Sequence, residues 1–169
     1  MRARFFYFSI VLVFVALFSA CDDKTLPSLK INKGEIFPSM QLSDLQASPV
    51  SVGQANKVRI INIWATWCGP CRHELPSLQR LSNKLDQSRF QVVGVSIDDD
   101  EHRVREYLNE KKIHYANFID MDMSIANDIL GVRIFPSTYL VRADGSIADI
   151  IEGWREWDSP EMLARINAL

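Results

Sequence analysis

Trp64-Ala65-Thr66-Trp67-Cys68-Gly69-Pro70-Cys71-Arg72-His73-Glu74-Leu75-Pro76 decides how the chain folds. Just before it, residues 58–63 are apolar, few and rich in β-branched side chains, which predicts a buried strand. After it, Leu75, Leu78, Leu81 and Leu85 recur every three or four residues, one face of a helix running to about Asp86. Two cysteines separated by Gly-Pro therefore stand where a strand hands over to a helix. The first turn of a helix has unpaired N–H groups and the positive end of the dipole, so a thiolate at Cys68 is stabilised there. Pro70 suits an early helical position, where its fixed φ fits and its missing N–H costs little. Cys71, three residues on, is near enough to pair with Cys68. Cys-x-x-Cys can also be half a zinc site, but zinc takes four ligands and no second cysteine pair follows. His73, His102 and His114 lack ligand spacing. The pattern predicts dithiol–disulfide chemistry, with neither metal nor cofactor.

The 169 residues suffice for one domain with appendages, and a net charge of −2 implies no basic face, which argues against nucleic acid as a partner. At the N-terminus Arg2 and Arg4 precede an apolar run over residues 5–20, short for a membrane-spanning helix, with small residues leading to Cys21. This reads as a secretory signal over residues 1–20. Leu17-Phe18-Ser19-Ala20-Cys21 resembles the lipobox of bacterial lipoproteins, which implies that Cys21 becomes the lipidated first residue of the mature chain. Phe18 departs from the smaller residue usual in that family. Asp22 resembles the signal that keeps such lipoproteins in the inner membrane. An uncleaved signal anchor is the alternative; both tether the protein to a membrane outside the cytoplasm. Residues 21–33 read as a polar tether and residues 34–169 as the domain.

Short apolar pieces broken by turn residues predict a β-hairpin ahead of the main sheet, from Ile36 and Phe37 to Pro49-Val50-Ser51-Val52. Residues 90–97 predict a second buried strand. Asp98-Asp99-Asp100 resembles a metal cluster on paper but reads as a loop and helix start, where carboxylates cap. A helix follows over 101–112 with Val104, Tyr107 and Leu108 inward, then a short strand over 115–119. A short helix over 123–130 ends at Gly131, and Met121 and Met123 read as packing rather than soft-metal ligands. Pro136 stands directly before a strand, and Asp144-Gly145 turns that strand into a last one over 147–151. After a loop over 153–157, Asp158 or Ser159 caps a final helix with Pro160 first. The order predicts an α/β fold, a mixed central sheet with helices on both faces.

This order, with Trp67-Cys68-Gly69-Pro70-Cys71, resembles the thioredoxin fold. The N-terminal hairpin and the helix–strand insert at about 101–119 resemble the TlpA/ResA-type branch of extracytoplasmic thioredoxin-like proteins. The resemblance covers about residues 34–169. It implies a membrane-tethered periplasmic thiol–disulfide oxidoreductase that reduces client disulfides, with Cys68 attacking and Cys71 resolving the mixed disulfide. Glu74 shares a helical face with Cys71. The resemblance implies acid–base work for it, while its position alone equally suits a solvated carboxylate. His73 points to the other side. Thioredoxin carries a buried aspartate where this chain has Asn62, an amide that cannot take a proton. Pro136 resembles the cis-proline that faces the cysteine pair, which would free the backbone of Phe135 to pair with an extended client. A trans proline opening an edge strand is the alternative. Trp67 reads as a shield over the thiols and Trp64 as core, while Trp154 and Trp157 either flank the client groove or simply pack.

The implied partners are client proteins with disulfides, a membrane thiol-transfer protein as electron donor, and the membrane itself; the domain is expected to be a monomer. A donor is needed because the compartment is oxidising. Apocytochrome c is a client by family analogy. The Gly-Pro dipeptide resembles thioredoxin, a reductant near about −270 mV, and points to reduction; a disulfide oxidase or isomerase is the alternative. A thiol peroxidase is a further alternative, because residues 37–52 also resemble the entry to peroxiredoxin-like domains. Their Pro-x-x-x-Thr-x-x-Cys pattern, however, meets Ile61 and Ala65 here. A non-catalytic, chaperone-like binding module is the last.

Overall fold

Every residue of the strand Val58–Trp64 is buried, as its apolar run requires, so both faces of the sheet at its centre are covered. The computed structural model describes residues 31–52 and 56–169; the expectations for the leader, for Cys21 and for most of the tether lie outside the described residues. In chain order the elements are β1 (Met40–Ser43), β2 (Pro49–Val52), β3 (Val58–Trp64), α1 (Gly69–Lys84), β4 (Phe90–Ser96), α2 (Glu101–Glu110) and β5 (Ala116–Ile119). A single π-helical turn (Ile125–Ile129), β6 (Ser137–Val141), β7 (Ile147–Glu152) and α3 (Pro160–Asn167) complete it. The seven strands lie in the order β2-β1-β5-β4-β3-β6-β7. Only β3/β4 and β4/β5 are parallel, so the sheet is mixed as expected, with the N-terminal hairpin joined to it through Ser43 opposite Ile119.

Alternation along β3 assigns the two faces. Asn62 meets Glu74 of α1, Trp64 meets Tyr107 of α2 at 5.8 Å between ring centroids, and Ile60 lies in the row Ile60–Leu140–Asp149, whose aspartate pairs with Arg165 of α3. All three α-helices therefore cover one face. Ile61, pointing the other way, lies opposite Tyr139. Tyr139 packs on Phe37 and reaches the Leu130 carbonyl, so the π-turn and the segment before β1 cover the second face. The expected helix over 123–130 is thus only one turn. Asp120 holds its start by accepting from the N–H groups of Ile125 (3.2 Å) and Ala126 (2.7 Å), and Gly131 ends it at φ 66°. Leu75, Leu78, Leu81 and Leu85 are all buried, as their spacing predicts.

Trp64 is tied down through its indole N–H, which donates to Asn117 Oδ1 at 3.1 Å. That bond crosses the sheet over Gly94, where an added Cβ would lie 1.9 Å from Asn117 Oδ1 and 3.0 Å from Trp64 Nε1. Gly94→Ala must push Asn117 aside and leave the indole N–H unpaired. The expected cost is about 2 kcal/mol, overpacking plus a lost bond, read as a lowered denaturant midpoint at unchanged slope.

Candidate dithiol site

Cys68 is the N-cap of α1, with extended backbone (φ −85°, ψ 108°), and its sulfur accepts from the Cys71 N–H at 3.2 Å. Pro70 occupies the first turn, where no donor is missed. Cys68 and Cys71 are joined by a disulfide, so the structure is the oxidised form. Cys68 keeps 7% of its surface exposed and Cys71 none, which makes Cys68 the sulfur another molecule can reach.

The loop that delivers Cys68 is held from β4. Asp98, buried just past the strand's end, accepts from the Thr66 N–H (2.9 Å), the Thr66 hydroxyl (2.5 Å) and the Ser96 hydroxyl (2.6 Å). The three aspartates thus do three different things. Asp100 caps α2 by accepting from the N–H groups of His102 and Arg103, Asp99 is exposed, and Asp98 turns inward. The only sequence signal for this was the alternation Ser96-Ile97-Asp98, which continues the strand's inward row.

Glu74 is not a solvated carboxylate: it is 1% exposed. Its Oε1 accepts from Asn62 Nδ2 at 2.7 Å, and its Oε2 from Trp157 Nε1 at 2.9 Å and the Arg155 N–H at 3.0 Å. Burial pushes the carboxyl up to about 7, against the opposing pull of these donors and of the Arg155 charge. Trp157 is fully buried as Glu74's partner and does not flank a groove. Ser77, one turn further along α1, accepts from the Trp157 N–H at 3.0 Å and pins the same loop. Asn62 also donates to Thr138 at 2.9 Å, leaving its buried Oδ1 without a hydrogen-bond partner.

The Phe135–Pro136 peptide is cis. Ser137, next in line, lies opposite Ile63, which sets the 132–136 segment beside the start of the Cys68 loop. The Pro136 carbonyl accepts from the Gly153 N–H at 2.8 Å, whereas the N–H and carbonyl of Phe135 make no hydrogen bond among the described residues. Trp67 is 59% exposed and rests edge-on against Phe135 at 6.2 Å between ring centroids, beside the proline segment. His73 is exposed, edge-on to Trp154 at 4.7 Å. Among the described residues no group of three His, Cys, Asp or Glu side chains is placed to hold a metal ion.

Residues 33–150 match the model of the AhpC/TSA family. The chain is 34% identical over 163 residues to the thiol:disulfide interchange protein DsbE of Pseudomonas aeruginosa, covering 90% of this chain and 87% of that one. It is 30% identical over 115 residues to the thiol-disulfide oxidoreductase ResA of Oceanobacillus iheyensis, covering 68% of this chain but only 55% of the relative. The fold superposes on a crystal structure of a thioredoxin family thiol:disulfide interchange protein from Chlorobium tepidum with a TM-score of 0.67 and 23% identity, over 80% of this chain and 98% of that one. The mixed-sheet architecture expected from the sequence is therefore the one observed, except that the second face is covered by the single π-turn and the segment before β1 rather than by an α-helix.

Proposed function

Because the chain belongs to the AhpC/TSA family and is a thiol–disulfide oxidoreductase of the DsbE and ResA kind, we propose that it reduces client disulfides outside the cytoplasm while tethered to a membrane through Cys21. The observation that carries this reading is a buried carboxyl, Glu74, on the same face of α1 as the buried Cys71, with its pKa pushed up to about 7. A group that gives and takes a proton near neutrality suits a thiol that must ionise only when needed.

In this scheme the Cys68 thiolate attacks one sulfur of the client disulfide. A Cys68–client S–S bond forms, and the second client sulfur leaves as a thiolate and takes up a proton. Cys71 then passes its proton to Glu74 and attacks Cys68. The Cys68–Cys71 bond closes and the first client sulfur is expelled as a thiolate, which takes up the proton Glu74 now holds. Two electrons pass to the client, which ends as a dithiol with one proton from Cys71 by way of Glu74 and one from water. The protein ends in the oxidised form seen here. Pro136 holds the segment whose unpaired Phe135 backbone can add to an extended client as a strand, and Trp67 stands beside that segment as contact surface. A membrane thiol-transfer protein then returns the electrons. The peroxidase alternative finds no support: at Ile61 and Ala65 the site offers buried apolar side chains and no hydroxyl.

Cys71→Ala, expressed in intact cells, should accumulate mixed disulfides through Cys68 in the membrane fraction. These dissolve with a reducing agent, are absent from Cys68→Ala, and name client and donor together. Absence of any adduct overturns the reading. A midpoint potential more oxidising than about −180 mV turns it into that of an oxidase or isomerase.

A further inference from the structure

We propose that the client segment taken by this site, given the reductase reading above, is an extended stretch with acidic residues beside its cysteine. Three segments border the dithiol, the first turn of α1 with its preceding loop and two further loops, and each presents an exposed arginine and an exposed apolar side chain. The motif segment carries Arg72 with Trp67, the segment before the cis peptide Arg133 with Ile134, and the loop after β7 Arg155 with Trp154. Trp67, Ile134 and Trp154 are 59%, 51% and 48% exposed, half of the large apolar side chains so exposed among the described residues. Apolar surface gathered in this way marks a contact face.

The charge of the face is as local as its apolarity. The chain as a whole is net −2, yet none of these three guanidiniums forms an ion pair among the described residues, whereas Arg80, Arg103 and Arg165 do. Arg155 rests on the carbonyls of Trp154 and Glu152 and forms no ion pair among the described residues, though its charge also acts on the buried Glu74. Beside the motif a recess of about 450 Å³ runs from Gly69 and Arg72 to Tyr107 and Lys111. Glu110, which also lines this recess, is held by Lys111 at 2.7 Å, and Glu156, beside Arg155 in sequence, is held by Arg80. Arginine presents a planar fork that matches a carboxylate. Unpaired arginines around a reactive sulfur both steer an acidic segment in and fix its register.

The test uses the reduced protein and three peptides, each closed by one internal disulfide, whose cysteines are flanked by Asp, Ser or Lys. Reduction is timed by tryptophan fluorescence, and each rate is divided by that for dithiothreitol to remove the peptide's own reactivity. The Asp peptide should react about tenfold faster than the Ser peptide at low ionic strength and the Lys peptide slower still. The differences should collapse in 1 M salt, where screening acts within about 3 Å. Arg72→Glu/Arg133→Glu, two exposed changes, should reverse the order, while Arg142→Glu, at the far end of β6, should preserve it. Equal rates for the three peptides, or an order the double variant leaves unchanged, overturn the proposal. Failure of all three to react overturns the reductase reading itself.

Discussion

Glu74→Gln should slow client reduction about 100-fold at pH 7 and flatten the pH dependence expected of the native protein around that value. The magnitude is the low end of what a positioned acid–base group contributes. The cause is that glutamine keeps the shape but holds no exchangeable charge. The same carboxyl sets a pH dependence of stability. Its ordinary value is 4.5 and burial pushes it up to about 7, so as pH rises the unfolded chain gives up this proton first. Stability from this group is complete below about 4.5, falls between about 4.5 and 7, and is level above, a loss of about 3 kcal/mol at most. The glutamine variant loses that slope. It carries instead a fixed penalty of about 1–3 kcal/mol, because three donors converge on Glu74 and an amide cannot accept from all of them. Denaturant midpoints measured from pH 4 to 9 separate the two contributions. A variant whose midpoint still falls across that window, or whose turnover matches the native rate, would refute the role.

Asp98→Ala carries the largest expected loss of stability, about 3–5 kcal/mol. It strands two hydroxyls and the buried Thr66 N–H together. Hydroxyls can rotate toward other acceptors; a backbone N–H cannot without moving the chain, and Cys68 is two residues away. The variant should therefore lose turnover even at temperatures where it remains folded. Asp98→Asn, which keeps one oxygen for the Thr66 N–H, should recover about half the stability. Chemical denaturation beside a turnover assay checks both, and a loss under about 1 kcal/mol for the alanine variant would remove Asp98 from its place as the loop's anchor.

Much of this was legible in the chain because it rests on local patterns. The apolar run of β3, the leucine spacing of α1, Pro160 opening α3 and Asp144-Gly145 between β6 and β7 each act within a few residues. The dithiol's place at a helix mouth follows from the same patterns. What stayed hidden depends on partners distant in sequence. Trp157 could flank a groove or pack until its loop is seen folded beneath α1, 83 residues from Glu74. Asp98 looks like its two neighbours until Thr66, 32 residues away, is beside it. Glu74 sat between buried and solvated because helical spacing gives direction but not what lies opposite. Hydrophobic spacing over 123–130 predicts a longer helix because it does not register that Asp120 binds the first N–H groups of the π-turn from outside.

Asn62 brings one more result. Its Nδ2 serves both Glu74 and Thr138 while its oxygen faces nothing, an arrangement suited to an ionised Glu74. Once that carboxyl is protonated, a half-turn of the amide lets the oxygen receive both the new acid hydrogen and the threonine hydroxyl. The side chain thus has two orientations that satisfy equally many neighbours, chosen by a single hydrogen ion. With an amide there instead of a second acid, no two anions compete in the interior beneath the sulfurs, and this pocket releases its hydrogen ion in one step rather than two.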